Sequence, residues 1–205
     1  MPHLRNPNFT GRDDLLAALR TALASGQPAA LTQAQAVYGL GGVGKSQIAV
    51  EYAYRNQDAY QTVWWIEAET PSQQAAGYVA LACAAGLAQP NQTDQAAIVH
   101  AVRAWLGRTG GWLLIFDNAR CPDDLADYLP QGSAGHVLIT SRNPAWDEVA
   151  HALHVAIWPR DESVEYLRKR TGQDDPLATD ALAAELGDLP LALAQAAGYV
   201  AHSVM

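Results

Sequence analysis

Between positions 39 and 46 the chain reads Gly39-Leu40-Gly41-Gly42-Val43-Gly44-Lys45-Ser46, a G-x-x-x-x-G-K-S run. No other segment restricts the fold so sharply, because the chemistry of such a run depends on what flanks it. Its glycines let the backbone wrap until successive N–H groups point at phosphate oxygens. A helix that follows adds the positive end of its dipole. A compact ammonium at Lys45 reaches β- and γ-phosphates, and the Ser46 hydroxyl is a ligand type for Mg²⁺. Ala36-Val37-Tyr38 leads into the run, and residues 46–54 carry helical periodicity with Gln47 in the first turn. The other reading, a merely structural glycine-rich turn, is disfavoured by this strand-then-helix context. Composition singles out the same residue: of 13 Lys+Arg only Lys45 and Lys169 are lysines.

The rest of the chain supplies what such a loop needs. Thr62-Val63-Trp64-Trp65-Ile66, Trp112-Leu113-Leu114-Ile115-Phe116, His136-Val137-Leu138-Ile139-Thr140 and Leu153-His154-Val155-Ala156-Ile157 are short apolar runs suited to strands buried on both faces. Helical spacing covers 13–24, where Leu15, Leu16, Leu19 and Leu23 recur, then 72–85, 94–106 and 122–128. Strands alternating with helices predict an α/β fold with a parallel sheet covered on both faces. Trp64 and Trp65 then point to opposite faces of that sheet. Cys83 is read as a small hydrophobe on a buried helix face. After Pro159 no strand-like run remains, and helices are expected over 161–170, 178–186 and 189–200. The chain is therefore expected to divide into a nucleotide-binding α/β domain, 1–158, and a small helical lid, 159–205.

Charge and composition exclude several classes. Twenty-one Asp+Glu against the 13 cations give a net charge of −8, which argues against a basic sheath for nucleic acid or an anionic membrane. No signal-peptide core opens the chain and no apolar run is long enough to span a bilayer, so a cytoplasmic location is expected. Two cysteines do not make a secreted scaffold. His151 and His154 flank a predicted strand, and no metal-ligand spacing accompanies them.

Two further strand ends carry chemistry. Five apolar residues deliver Asp117 to the C-terminal edge of the sheet, where ligands bind in open α/β folds. A carboxylate there holds Mg²⁺ through water; the bland alternative is a turn aspartate. Asn118 follows, and an amide cannot accept a proton as a general base, so hydrolysis is expected to be slow at most. Thr140-Ser141-Arg142 ends the next strand on the same edge, with a hydroxyl and a guanidinium suited to sensing a γ-phosphate; Arg142 as a surface residue is the alternative.

The order of motifs now matters more than any one of them. Phe9-Thr10-Gly11-Arg12, the glycine-rich loop, Leu114-Ile115-Phe116-Asp117-Asn118, Leu138-Ile139-Thr140-Ser141-Arg142 and Gly187-Asp188-Leu189-Pro190-Leu191-Ala192-Leu193 follow one another. This order resembles the NB-ARC group of STAND signal-transducing P-loop ATPases, in particular bacterial regulators with C-terminal repeats. The resemblance covers residues 8–200. It implies a three-layer P-loop fold with sheet order 5-1-4-3-2. It implies that Phe9, Thr10, Gly11 and Arg12 run along the adenine, that Pro190 with Leu191 packs over adenine and ribose, and that Arg142 is the sensor arginine. Gly39, Gly41, Gly42, Val43, Gly44, Lys45, Ser46 and Gln47 become the nucleotide cradle. Ser46 and Asp117 become the Mg²⁺ residues, and Lys45, Asp117 and Arg142 the catalytic set. Asp188 departs slightly from the family pattern.

The family's winged helix, with the histidine that holds ADP, has no counterpart before the chain stops at Met205, and His202 lacks the context to replace it. An excised module or truncated gene is therefore expected. The function implied is an ATP/ADP-binding switch with Mg²⁺ that hydrolyses ATP slowly at most; the alternative is a non-hydrolysing, nucleotide-bound scaffold for oligomerisation. Partner expectations are an adenine nucleotide, self-association of the full-length protein in its ATP state, no nucleic acid contact by this segment and no membrane. A small-molecule kinase is disfavoured because no acceptor site is visible.

Overall fold

A computed structural model describes residues 1–24, 29–33, 41–87, 94–130 and 135–203. Among these, five strands form one sheet in the order β2-β3-β4-β1-β5. The strands are β1 Ala29–Gln33, β2 Thr62–Glu67, β3 Trp112–Ala119, β4 His136–Ser141 and β5 His151–Val155. Every pairing is parallel. Read from the other edge this is the expected 5-1-4-3-2. The arrangement places β4, which ends at Ser141, between β1 and the strand bearing Asp117.

Alternation along β3 builds the layers, because successive side chains leave opposite faces. Leu113 and Ile115 face one side and pack with Leu16, Leu19 and Leu23 of α1 (Asp13–Ala24) and Ile48 and Tyr52 of α2 (Lys45–Arg55). Leu114 and Phe116 face the other, against Tyr78 and Leu81 of α3 (Pro71–Ala84) and Ile98, Val102 and Leu106 of α4 (Gln95–Leu106). Trp65 joins the first cluster and Trp64 the second, as alternation requires. Helix starts are fixed by side-chain caps: Thr70 accepts from the Gln73 amide, and Asp94 accepts from that of Ala97 at 3.0 Å.

Past β5 the chain turns wholly helical. Helices α6 (Arg160–Thr171), α7 (Pro176–Glu185) and α8 (Pro190–Ser203), after the short α5 (Pro122–Leu125) earlier in the chain, pack around Tyr166, Leu167, Ala183, Leu193 and Ala197. Trp158 lies against Tyr166 with ring centroids 5.0 Å apart.

The segment before α1 is held by charge. The Arg5 guanidinium forks onto the buried Glu51 carboxylate at 3.0 and 2.8 Å. Arg55 donates to Glu51 at 2.7 Å and to Asp13 at 2.6 Å, joining α2 to α1. The Arg5 guanidinium is the main reason the Glu51 carboxyl lies below its ordinary pKa.

Several boundaries differ from the sequence reading. β1 was not foreseen, since Ala29–Gln33 has one β-branched residue and no apolar run; the strand expected at 36–38 lies outside the described residues. β5 begins and ends two residues early and so contains His151 and His154. α5 stops at Leu125, where a turn closed by the Tyr128 amide on the Leu125 carbonyl replaces a further helical turn. Cys83 is half-buried, because the buried stripe of α3 runs through Ala75, Tyr78, Leu81 and Ala82 and leaves position 83 rotated off it.

Candidate nucleotide-binding site

The described part of the glycine-rich loop opens α2. Gly44 caps the helix, and its carbonyl accepts the first intrahelical bond, from the Ile48 amide at 2.9 Å. Gly42 has φ +102, and a Cβ there would lie 2.9 Å from Cβ of Leu191. Both facts require glycine: the backbone is left-handed and the start of α8 approaches it directly. Gly39 lies outside the described residues.

Beside the loop, Asp117 is held on one oxygen by two hydroxyls. Ser46 Oγ donates to Asp117 Oδ1 at 2.7 Å and Thr140 Oγ1 donates to the same atom at 2.5 Å. The Asn118 amide, at a residue with φ +62, donates in turn to Thr140 Oγ1 at 2.8 Å. The Thr140 hydroxyl, expected to face a γ-phosphate, is thus engaged by Asp117 and the Asn118 amide. Arg142, one step beyond β4, is exposed and lines the cavity, and a Cβ on Gly41 would stand 3.2 Å from its Nη2. Burial, and secondarily the Arg142 charge, holds the Lys45 ammonium below its ordinary pKa, against the pull of Asp117.

From the N-terminal side, Phe9, Thr10 and Arg12 reach the same cavity. Arg12 has φ +66 and donates from Nη2 to the Ala156 carbonyl at 2.7 Å. Burial holds its guanidinium below the ordinary value while the Glu162 charge opposes this. Gly11 also has φ +66, and a Cβ on it would come within 2.6 Å of Glu162 Oε2, a buried oxygen without a hydrogen-bond partner. From the C-terminal helices, the Leu191 amide donates to the Gly42 carbonyl at 3.0 Å. Asp188, at φ +53, is gripped by Arg160 at 2.8 and 2.7 Å and accepts on its carbonyl from the Trp158 amide at 3.1 Å. That grip fixes the turn that delivers Pro190 and Leu191.

These pieces surround one cavity of about 600 Å³, within the range of small-molecule sites. It brings together Phe9, Thr10, Arg12, Gly41, Gly42, Val43, Gly44, Lys45, Ser46, Gln47, Asp117, Arg142, Pro190 and Leu191. Gly11 is not among the lining residues, because it faces Glu162. The cavity also takes in Glu67, Trp158 and Tyr166, which the sequence reading passed over. Only strand pairing could have signalled Glu67, which lies opposite Asp117 in the β2–β3 register. The donor set suits Mg²⁺: a carboxylate and two hydroxyls are hard oxygen ligands, and the cradle atoms are backbone that added side chains would crowd.

No protein-family model matches the chain. A nucleotide-binding leucine-rich repeat (NLR)-like protein of Hyaloscypha variabilis is 30% identical over 98% of this chain and 23% of its own length. Regulatory protein AfsR of Streptomyces griseus is 28% identical over 95% of this chain and 21% of its own length. The chain thus spans less than a quarter of each of these relatives. Among solved structures, the Walker-type ATPase PABY2304 of Pyrococcus abyssi has a TM-score of 0.62 at 14% identity, covering 94% of this chain and 68% of that one. The Aeropyrum pernix ORC1 protein in complex with DNA has a TM-score of 0.64 at 18% identity, covering 100% of this chain and 64% of that one.

The last similarity corrects one expectation. Contact with nucleic acid had been excluded for this segment on its acidic balance, yet this fold occurs in a protein solved on DNA. Net charge sums over the whole surface, whereas a DNA contact depends on local cations, so a charge of −8 does not carry that exclusion. Fold, motif order and relatives together support a nucleotide-binding P-loop ATPase module of the NB-ARC/STAND type.

Proposed function

We propose that the cavity takes an adenine nucleotide with Mg²⁺ and that the chain works as an ADP/ATP switch. The observation that carries this is the convergence of Lys45, Arg142 and the Ser46–Asp117 pair on one cavity whose far walls are the segment before α1 and the helical lid. Two cations brought together in a half-buried cleft favour an anion between them. In this reading Lys45 and Arg142 hold the terminal phosphates, and the loop amides from Gly41 to Gln47 the others. Ser46 and Asp117 hold Mg²⁺, which supplies neutralising charge on the phosphates. Phe9, Thr10 and Arg12 border the base, and Pro190 with Leu191 covers it.

The division of labour follows: residues 1–158 bind, and residues 159–205 close over what is bound. ADP favours the closed arrangement, ATP opens it, and turnover between them is slow. Such a switch works only through unequal affinity of the two states for the two nucleotides. A cytoplasmic site of action fits a switch fed by cellular ATP, and no described helix is long and apolar enough to cross a membrane.

Denaturing the purified protein and identifying the released nucleotide tests the reading, together with thermal shifts on adding Mg-ADP to wild type and Lys45→Ala. ADP or ATP in the supernatant, and a shift lost in the variant, are expected. Neither nucleotide, with no shift in the wild type, rejects the proposal. ADP retained without any phosphate release would instead favour a nucleotide-bound scaffold that does not turn over.

A further inference from the structure

Asn118 leaves the site without a base at the position next to Asp117, since an amide cannot take a proton from water. The structure holds a carboxylate elsewhere on the same edge. Glu67 ends β2, pairs with Asp117 across the β2–β3 register and lines the cavity. Paired residues of adjacent parallel strands share a face, and neighbouring strands run about 4.8 Å apart. The face is the one that carries Trp65, which packs with α2, and the Trp65 indole N–H donates to Glu67 Oε1 at 3.3 Å. Glu67 is therefore aimed at the loop side of the sheet by a buried aromatic residue.

Strand order supplies the direction. The strands run β1, β4, β3, β2 across the sheet; Lys45 and Ser46 open α2, Arg142 follows β4, Asp117 lies on β3 and Glu67 ends β2. A phosphate chain anchored at the loop extends along this edge toward β3. In-line displacement puts the attacking water on the side of the γ-phosphorus away from the leaving diphosphate; Glu67 lines the same cavity one strand beyond Asp117, on the side away from the glycine-rich loop.

We infer that Glu67 is the general base for ATP hydrolysis in this chain, a role that rests on the nucleotide reading above. Glu67 removes one proton from water. The water oxygen bonds to the γ-phosphorus as the bond from that phosphorus to the β–γ bridging oxygen breaks, and ADP departs with the electron pair. The proton returns to bulk solvent from the exposed carboxyl, so the base is regenerated without a co-reactant other than water.

The test compares wild type, Glu67→Gln, Glu67→Asp and the nearby exposed Glu69→Gln in the full chain. Three quantities are measured: affinity for a fluorescent ATP analogue with Mg²⁺, phosphate release under saturating ATP, and the ATP:ADP ratio left on the protein after a single turnover. General-base catalysis contributes about 10²–10⁴-fold, so Glu67→Gln should lower kcat by at least about 100-fold. Its nucleotide affinity and KM should stay within about twofold, and the bound nucleotide should remain ATP. Glu67→Asp, its carboxylate withdrawn by one methylene, should keep part of the rate, and Glu69→Gln all of it. Turnover by Glu67→Gln within threefold of wild type overturns the assignment. So does a wild type that binds ATP but releases no more phosphate than Lys45→Ala. Failure to bind nucleotide at all is a separate result, which removes the nucleotide reading itself and the base with it.

Discussion

At the scale of single residues, the site depends on shape as much as charge. Lys45 is one of two lysines in a chain that otherwise uses arginine. A slim ammonium fits beneath phosphates where a planar fork would crowd them. Lys45→Arg should therefore weaken Mg-ADP binding by about 10-fold or more, about 1.4 kcal/mol, although the charge is kept, as titration calorimetry would show. Gly42 faces a comparable limit. Alanine there must adopt a left-handed φ and meet Leu191, so Gly42→Ala should cost about 1–3 kcal/mol, seen as a lower melting temperature together with loss of nucleotide affinity. Both residues were legible in the sequence, because a loop that wraps phosphate demands those types at that spacing. Glu67 was not. It ends an apolar run, as many strand-final residues do, and its meaning appears only when β2 is paired with β3.

At the scale of elements, one of the ion pairs among the C-terminal helices ties α6 to the turn before α8. Arg160 at the start of α6 grips Asp188 in the turn before α8, and this grip is the chief cause of an Asp188 carboxyl below its ordinary pKa. The sign follows from that direction. A carboxyl with a depressed folded-state pKa contributes stability that is fully present above the unfolded value of about 3.9, and is lost as pH falls through the folded value. Amide hydrogen exchange in α6 and α8 should therefore accelerate as pH drops below about 4, beyond the intrinsic trend. In Asp188→Asn the lid should exchange fast already at neutral pH and show no such step. Most elements were readable, since β2, β3 and β4 are continuous apolar runs and α1 has clear helical periodicity. β1 was not, because an alanine-led segment becomes a strand only through partners on both sides, β4 and β5.

At the scale of the whole molecule, two apolar clusters sandwich the sheet, and β3 contributes to both. Phe116 is fully buried and immediately precedes Asp117. Phe116→Ala should lower unfolding stability by about 3–5 kcal/mol in urea titrations, with nucleotide affinity falling in parallel because the strand end shifts. The layered architecture was within reach of the sequence, since alternating strands and helices leave few ways to cover a parallel sheet, whereas the strand order followed only from the resemblance to the NB-ARC group. The enclosure of the cavity was implied by the same resemblance, but the contacts that hold it were not legible. It depends on Arg5 and Arg55 converging on Glu51, and on Arg12 reaching the Ala156 carbonyl, contacts between residues far apart in the chain.

The contact between Leu191 and Gly42 has one more consequence. Helix-initial amides have no partner within their own helix, and that of Leu191 finds one on the phosphate loop. Its proton is shielded only while the lid rests on the loop. The exchange lifetime of that single amide is thus a clock for the protein: it counts how often the lid lifts, and any ligand that lengthens it has bound beneath.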